Sequence, residues 1–225
     1  HYAQLLLQHK PLYPNPNVFP YLPILFTPGY PYLIAFLSNL FHFNYNNDIH
    51  QILVMARTLS FLFLFANAYF IFKIFKLFKL PFIYFLAAIT FYLLLITGHF
   101  FATRPDALKT TAFTLFLYTV IQYSFFRSRL KYFLLSLFSG WLAVYLKQDA
   151  ILNICLLLLL LCFYLNNKRT YFLALTFMVG LIISLAGCFF FFGDYFFTKI
   201  LLFHFLAITE MKISINVLLV LFSGG

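Results

Sequence analysis

Acidic side chains are almost missing from this sequence: five Asp and Glu stand against fifteen Lys and Arg in 225 residues. Charged residues of both signs make up only 9% of the chain, too few to coat a soluble domain, in which roughly a quarter of residues are charged. Trp occurs once and Cys three times, at Cys155, Cys162 and Cys188, all inside apolar runs and without CxxC spacing. An odd number of isolated cysteines excludes a disulfide framework and a thiolate zinc site, and they read as small packing residues. A net charge of +10 would suggest a nucleic-acid partner in a soluble protein. Here most of that charge sits in short turns between apolar runs, so no nucleic-acid role is expected.

What the chain has in abundance is apolar and aromatic surface: 64% hydrophobic residues, with 35 Phe and 16 Tyr. Six stretches, near 51–72, 81–98, 107–126, 130–146, 150–165 and 170–192, have the length a helix needs to cross a bilayer, roughly 17 to 25 residues with their flanks. They do not alternate as barrel strands would, and a spanning segment must satisfy its own backbone hydrogen bonds. The expected fold class is all-α: a polytopic transmembrane helical bundle, forming a single membrane domain over 1–225.

Charge sets its orientation. Lys73, Lys76 and Lys79, then Arg127, Arg129 and Lys131, then Lys168 and Arg169 form three turns without an acid, which the positive-inside rule assigns to the cytoplasm. Asp48, Asp106, Asp149, Asp194 and Glu210 all fall in the intervening segments, so polar chemistry is expected on the extracytoplasmic side of a multi-pass protein, expected in a bacterial plasma membrane. Counting crossings puts both ends of PYLIAFLSNLFHF, residues 31–43, outside, and thirteen residues are too few to span. This piece is expected to lie in the outer interface, led by a strap from Pro11 to Pro31 that brings Tyr13, Tyr21, Tyr30 and Tyr32 to headgroup depth among the membrane lipids. Strap and interfacial helix together occupy 1–50, and 193–225 holds an outer segment and a truncated last helix. The opening at His1, without a signal-peptide layout, and the unfinished apolar run at Gly225 read as a piece of a longer chain.

Two outer corners carry the chemistry-bearing residues. In ATRPDALK, residues 102–109, Asp106 can cap the following helix, and Arg104 presents a guanidinium fork suited to phosphate or, equally, to ordinary lipid headgroups. In YLKQDAIL, residues 145–152, Lys147, Gln148 and Asp149 sit where one helix ends and the next begins. Lys at a C-terminus and Asp at an N-terminus are matched caps, whereas Gln148 has neither cap role. His42, His50, His99 and His204 fall at outer helix ends without metal-ligand spacing, and Arg57 lies one to two turns into its span, within reach of the surface or of an outer acid. Ser136, Ser139 and Gly140, like Gly180, Ser184 and Gly187, form small-residue faces for close helix packing.

Taken in order, PLYPNPN at 11–17, PYLPILFTPGYPYLIAFL at 20–37, ATRPDAL, YLKQDAIL and FHF at 203–205 resemble polytopic glycosyltransferases of the GT-C fold, nearest to the family 39-like enzymes such as protein O-mannosyltransferases and lipid A aminoarabinose transferases. The resemblance implies transfer of a sugar from a polyprenyl-phosphate donor to a hydroxyl of a lipid, glycan or protein acceptor on the extracytoplasmic side. It also implies an outer pocket under interfacial helices and a catalytic Asp in the first outer loop, which would precede His1. Arg104, Lys147, Asp106, Gln148, Tyr30 and His204 are the substrate- and phosphate-binding candidates, and Asp149 departs from the small or hydroxyl residue common at that corner. No cofactor is expected, and a divalent metal bridging the phosphate has no support in the residues. The competing expectations are a lipid-linked sugar flippase or other transporter, which would want ionisable residues near mid-bilayer, and a non-catalytic membrane scaffold.

The topology predicts that single cysteines at 73–79, 127–131 or 166–169, in a background lacking the native three, resist an impermeant maleimide in intact cells, whereas those at 44–50, 99–106 or 147–149 react. Reaction at the basic turns would reverse the orientation.

Overall fold

A computed structural model describes Leu7 and residues 28–43, 48–100, 106–126 and 129–192, with side chains of the third helix described as far as Tyr92. Among these residues the chain is all-helical: α1 Gly29–Leu40, α2 Ile49–Leu77, α3 Phe82–Phe100, α4 Asp106–Ile121 continued by a π turn Gln122–Phe126, α5 Leu130–Leu146, α6 Ala150–Leu165 and α7 Lys168–Phe192. The expected boundaries at 130–146 and 150–165 coincide with α5 and α6. The largest displacement is in α2, which runs five residues beyond 72 before Phe78 ends it. By length and composition α2 and α7 can each cross a membrane; α5 and α6 are apolar but shorter.

Three turns stop the helices without glycine. After α1 and α2 the left-handed position is held by His42 (φ 56°) and Lys79 (φ 54°), and after α6 by Asn166 (φ 43°). At Lys79 the amides of Lys79 and Leu80 donate to the carbonyls of Lys76 and Phe75, at 3.2 and 3.1 Å, satisfying two orphan carbonyls of α2. Pro81 then prevents the helix from resuming. Asn167 starts α7 by accepting a 2.8 Å hydrogen bond from the Thr170 amide.

Helices α2 and α4 run parallel in a constant register. Thr111 Oγ1 donates to the Phe63 carbonyl at 2.7 Å, a contact between positions 48 residues apart. The ring pairs Phe70 with Tyr118 and Phe78 with Phe126 repeat that offset at centroid distances of 6.3 and 6.2 Å. A contact every seven or eight residues is the spacing of a coiled-coil seam. Helices α4 and α5 are antiparallel: Tyr123 meets Phe133 at 5.6 Å, and a Cβ on Gly140 would lie 3.0 Å from Phe116. Phe133 stacks on Phe172 of α7 at 5.4 Å, and Thr170 reaches Ser124 at 3.3 Å. These contacts gather the starts of α5 and α7 and the ends of α2 and α4, and with them the basic turns, at one end of the bundle.

Polarity is distributed inside out. Ser38, Thr119, Ser136, Ser139 and Thr170 are fully buried, while Phe163, Phe190 and Phe191 are 77%, 85% and 89% exposed. The buried hydroxyls cost little because they donate back along their own helices, Ser38 to Ile34 at 2.8 Å, Ser136 to Tyr132 and Ser139 to Leu135 at 2.6 Å. Small residues give close packing at the expected Ser136, Ser139 and Gly140, where the rings of Phe116 and Phe177 lie against Gly140. Gly180 follows the same rule, since a Cβ there would collide with the Trp141 ring. Gly187 does not: among the described residues nothing lies within 4 Å of its Cβ position, so its expected packing role is corrected.

Because a Cβ on Gly140 would lie 2.6 Å from Phe177 as well, Gly140→Ala is expected to lower stability by about 1 to 3 kcal/mol through overpacking. Gly187→Ala should change it by no more than about 1 kcal/mol, in the stabilising direction. Thermal unfolding of the two variants in the same detergent compares them directly.

Candidate functional site

At the end of the bundle opposite the basic turns, the two polar corners meet. Asp106 opens α4, and Lys109 follows one turn later on the same side. Lys147 occupies the C-terminal cap position of α5, Gln148 and Asp149 make the turn, and α6 begins at Ala150. Continuing the antiparallel register that opposes 123 to 133 and 116 to 140 sets Lys109 across from Lys147. Two like charges facing one another repel, and each is answered by an acid from the other corner.

Lys147 Nζ donates to Asp106 Oδ1 at 2.6 Å and lies 3.7 Å from Asp149 Oδ2; Lys109 Nζ donates to Asp149 Oδ2 at 2.9 Å and lies 4.0 Å from Asp106 Oδ1. The four side chains form a ring of alternating sign that joins positions 40 and 41 residues apart. Exposure of 16% for Lys109, 20% for Asp106 and 23% for Lys147 keeps three of the four partly shielded, and Asp149 at 44% faces out. Such shielding strengthens the pairing relative to a free surface bridge without imposing the full desolvation of a buried one.

Capping is one of the readings the sequence leaves open for each acid, and both carboxylates enter the ring. Asp149 stands at the N-terminal cap position of α6 but makes no side-chain capping bond, and its carboxylate goes to Lys109. Asp106 is the first residue of α4, and its carboxylate goes to Lys147. A charged donor outcompetes a backbone amide for the same oxygen. Gln148, between the two charged residues of the turn, is buried.

Helix α1 covers this end. Gly29 sits against the last turn of α5, where a Cβ would lie 2.5 Å from the Tyr145 carbonyl oxygen, so only glycine allows the approach. Tyr30 is 8% exposed and packs inward with Ile34, while Tyr32 faces out at 47%. Burial pushes the Tyr30 hydroxyl up to about 12, the Ser60 hydroxyl opposes that rise, and the charge of Asp106 adds to it. Tyr30 is therefore a neutral phenol beside the charged ring. The outward face of α1 carries Phe36, Leu40 and Phe41, with Asn39 and His42 also exposed, the division expected for an interfacial helix.

The structure brings together Tyr30, Asp106, Lys147 and Gln148 from the sequence-derived candidates. Arg104 and His204 lie outside the described residues, as do Tyr13, Tyr21 and the strap up to Thr27. Arg57 is exposed and, among the described residues, forms no ion pair. The α2–α4 offset sets Asp106 level with Thr58, so Arg57 stands at the height of the ring rather than deep in a span. Lys109 is the member that sequence reasoning passed over. Its signal was present: a cation one turn inside an apolar helix needs a partner, and Asp106 lies three residues earlier. Among the described residues no three His, Cys, Asp or Glu side chains gather as metal ligands.

Comparison with protein-family models, curated proteins and solved structures finds no match to this chain.

If the ring is one coupled unit, Asp106→Ala and Lys147→Ala should each lower stability by roughly 1 to 2 kcal/mol, between surface and buried ion-pair values. The double variant should lose about 1 kcal/mol less than their sum. Additive losses in detergent unfolding would show that the pair does not act together.

Proposed function

We propose that this chain is the membrane domain of a glycosyltransferase that moves a sugar from a polyprenyl-phosphate donor to an acceptor hydroxyl on the extracytoplasmic side. The observation that carries the proposal is the four-residue charge ring, assembled from two distant corners at one end of the bundle where α1 packs against the last turn of α5. The inside-out distribution of polar and apolar residues, with two helices long enough to cross a bilayer, supports a multi-pass arrangement. Segregation of the basic turns to the far end supports an orientation in which they are cytoplasmic and the ring faces out.

In this reading the acceptor oxygen attacks the anomeric carbon, the bond from that carbon to the phosphate oxygen breaks, and the carrier phosphate leaves with the electron pair. Lys147 and Lys109, aided by Arg104 from the adjoining loop, stabilise the departing phosphate by exchanging a carboxylate partner for a phosphate oxygen. Asp106 and Asp149 hold these cations in place until the donor arrives. The hydroxyl proton goes to a further carboxylate, the catalytic Asp that the glycosyltransferase resemblance implies in the first outer loop. Tyr30, un-ionised, offers a hydroxyl near the same end.

The internal charge balance of the ring favours a second reading, in which it is a structural clasp of a non-catalytic scaffold. A charge swap separates the two. In the full-length protein supplied with a polyprenyl-phosphate sugar, Arg104→Ala and Lys147→Ala should each reduce transfer roughly ten- to a hundredfold, the worth of a charge-assisted hydrogen bond. The fourfold variant Asp106→Lys, Lys109→Asp, Lys147→Asp and Asp149→Lys, which keeps the alternation of sign, should recover stability but not transfer. Full transfer by the swapped protein would mean that the ring only clasps.

A further inference from the structure

The opposite end of the bundle carries a feature that sugar transfer leaves unused. At the α2–α3 turn an open cavity of about 510 Å³ is lined by Phe72, Phe75, Phe82 and Phe85 together with Lys76 and Lys79. Its volume falls in the range of ligand sites, about 300 to 1,000 Å³. The aromatic wall is ordered: Phe85 meets Phe72 edge-on at 5.4 Å, Phe82 at 5.4 Å and Phe75 at 6.3 Å. Phe72 and Phe82 remain 38% and 59% exposed, so the wall has an open apolar face rather than a filled one.

The two cations at its rim are uncompensated. Among the described residues neither Lys76 nor Lys79 makes an ion pair or a side-chain hydrogen bond, in contrast to the lysines of the charge ring. Lys73, one turn earlier, is turned away and lies 5.1 Å over the Tyr69 ring. Lys79 holds its place at a conformational cost, with φ 54° at a helix-ending position where glycine is the residue without strain. A strained backbone that projects an unpaired cation beside an aromatic cavity is an arrangement that points to a ligand.

We propose that this cavity binds one anionic phospholipid, with its phosphate between Lys76 and Lys79 and its acyl chain against the four phenylalanines. Charge complementarity selects the headgroup: two cations, and no described acid within pairing distance, favour a headgroup with net negative charge over a zwitterion. The apolar wall selects a lipid over a free phosphate, which would leave four aromatic faces uncovered. This inference rests on the chain being embedded in a bilayer, and not on sugar transfer.

The experiment is native mass spectrometry of the intact chain in detergent, titrated with phosphatidylglycerol or with phosphatidylcholine. One phosphatidylglycerol should bind with a preference of roughly ten- to thirtyfold over phosphatidylcholine, as two interfacial lysines provide. Lys76→Gln with Lys79→Gln should abolish the preference, whereas Lys131→Gln with Arg169→Gln, the same loss of charge at the other basic turns, should keep it. Equal loss in both variants, or an undiminished preference in the first with helical circular dichroism intact, would overturn the site. Displacement of the lipid by millimolar inorganic phosphate would overturn the choice of occupant. Carbonate extraction of the chain from membranes is the separate control: release would refute the bilayer premise, and the site with it, while leaving the charge ring to be judged on its own variants.

Discussion

The architecture depends on α4 having no free side. From Asp106 to Ser124 no residue is exposed, and Phe116 and Val120 are completely buried. A helix enclosed in this way cannot slide or rotate without breaking contacts on every face, because packed interiors are close to crystal density. The parallel seam with α2 and the antiparallel one with α5 are both measured against it. Those two seams decide the height at which every polar group sits, and so they decide which corners can meet.

The charge ring is a consequence of that fixed register. Lys109 is carried on the enclosed helix and Lys147 on its antiparallel neighbour, so the two cations come level whether or not this is favourable. Alternating them with Asp106 and Asp149 converts a repulsion into four attractive contacts, and the same four residues tie the α4 start to the α5–α6 corner. Among the described residues the lysines of the α2–α3 turn have no such partners. The two ends of the bundle thus differ in kind, one internally neutralised and the other left positive.

The helices were legible in the sequence because hydrophobic run length and the three basic turns mark where each begins and ends. Agreement is closest at α5 and α6, where polar corners stop the runs sharply, and loosest at α2, where FKIFKLFK continues the apolar pattern past any obvious stop. The two corners were legible as candidate sites, but their partners were not. Pairing of Asp106 with Lys147 depends on a register set by Thr111, Phe116 and Gly140, none of which carries a sign of it in linear sequence. Local logic left capping open for both acids, and tertiary contact with a charged donor brings their carboxylates into the ring. The inward turn of Tyr30 was hidden for a related reason, since Gly29 seats α1 on the Tyr145 carbonyl only in the folded chain.

The enclosure of α4 also sets how freely this sequence can diverge. On α6 and α7 the outward positions hold Leu152, Leu160, Phe163, Ile182 and Phe190, all exposed and all apolar, and any of them can be exchanged for another large hydrophobe without disturbing a neighbour. At Gly29, Gly140 and Gly180 a single added carbon meets an atom, and along α4 no residue is exposed. Descendants of one ancestor would therefore drift over most of their length while retaining one helix, three glycines and two short corners.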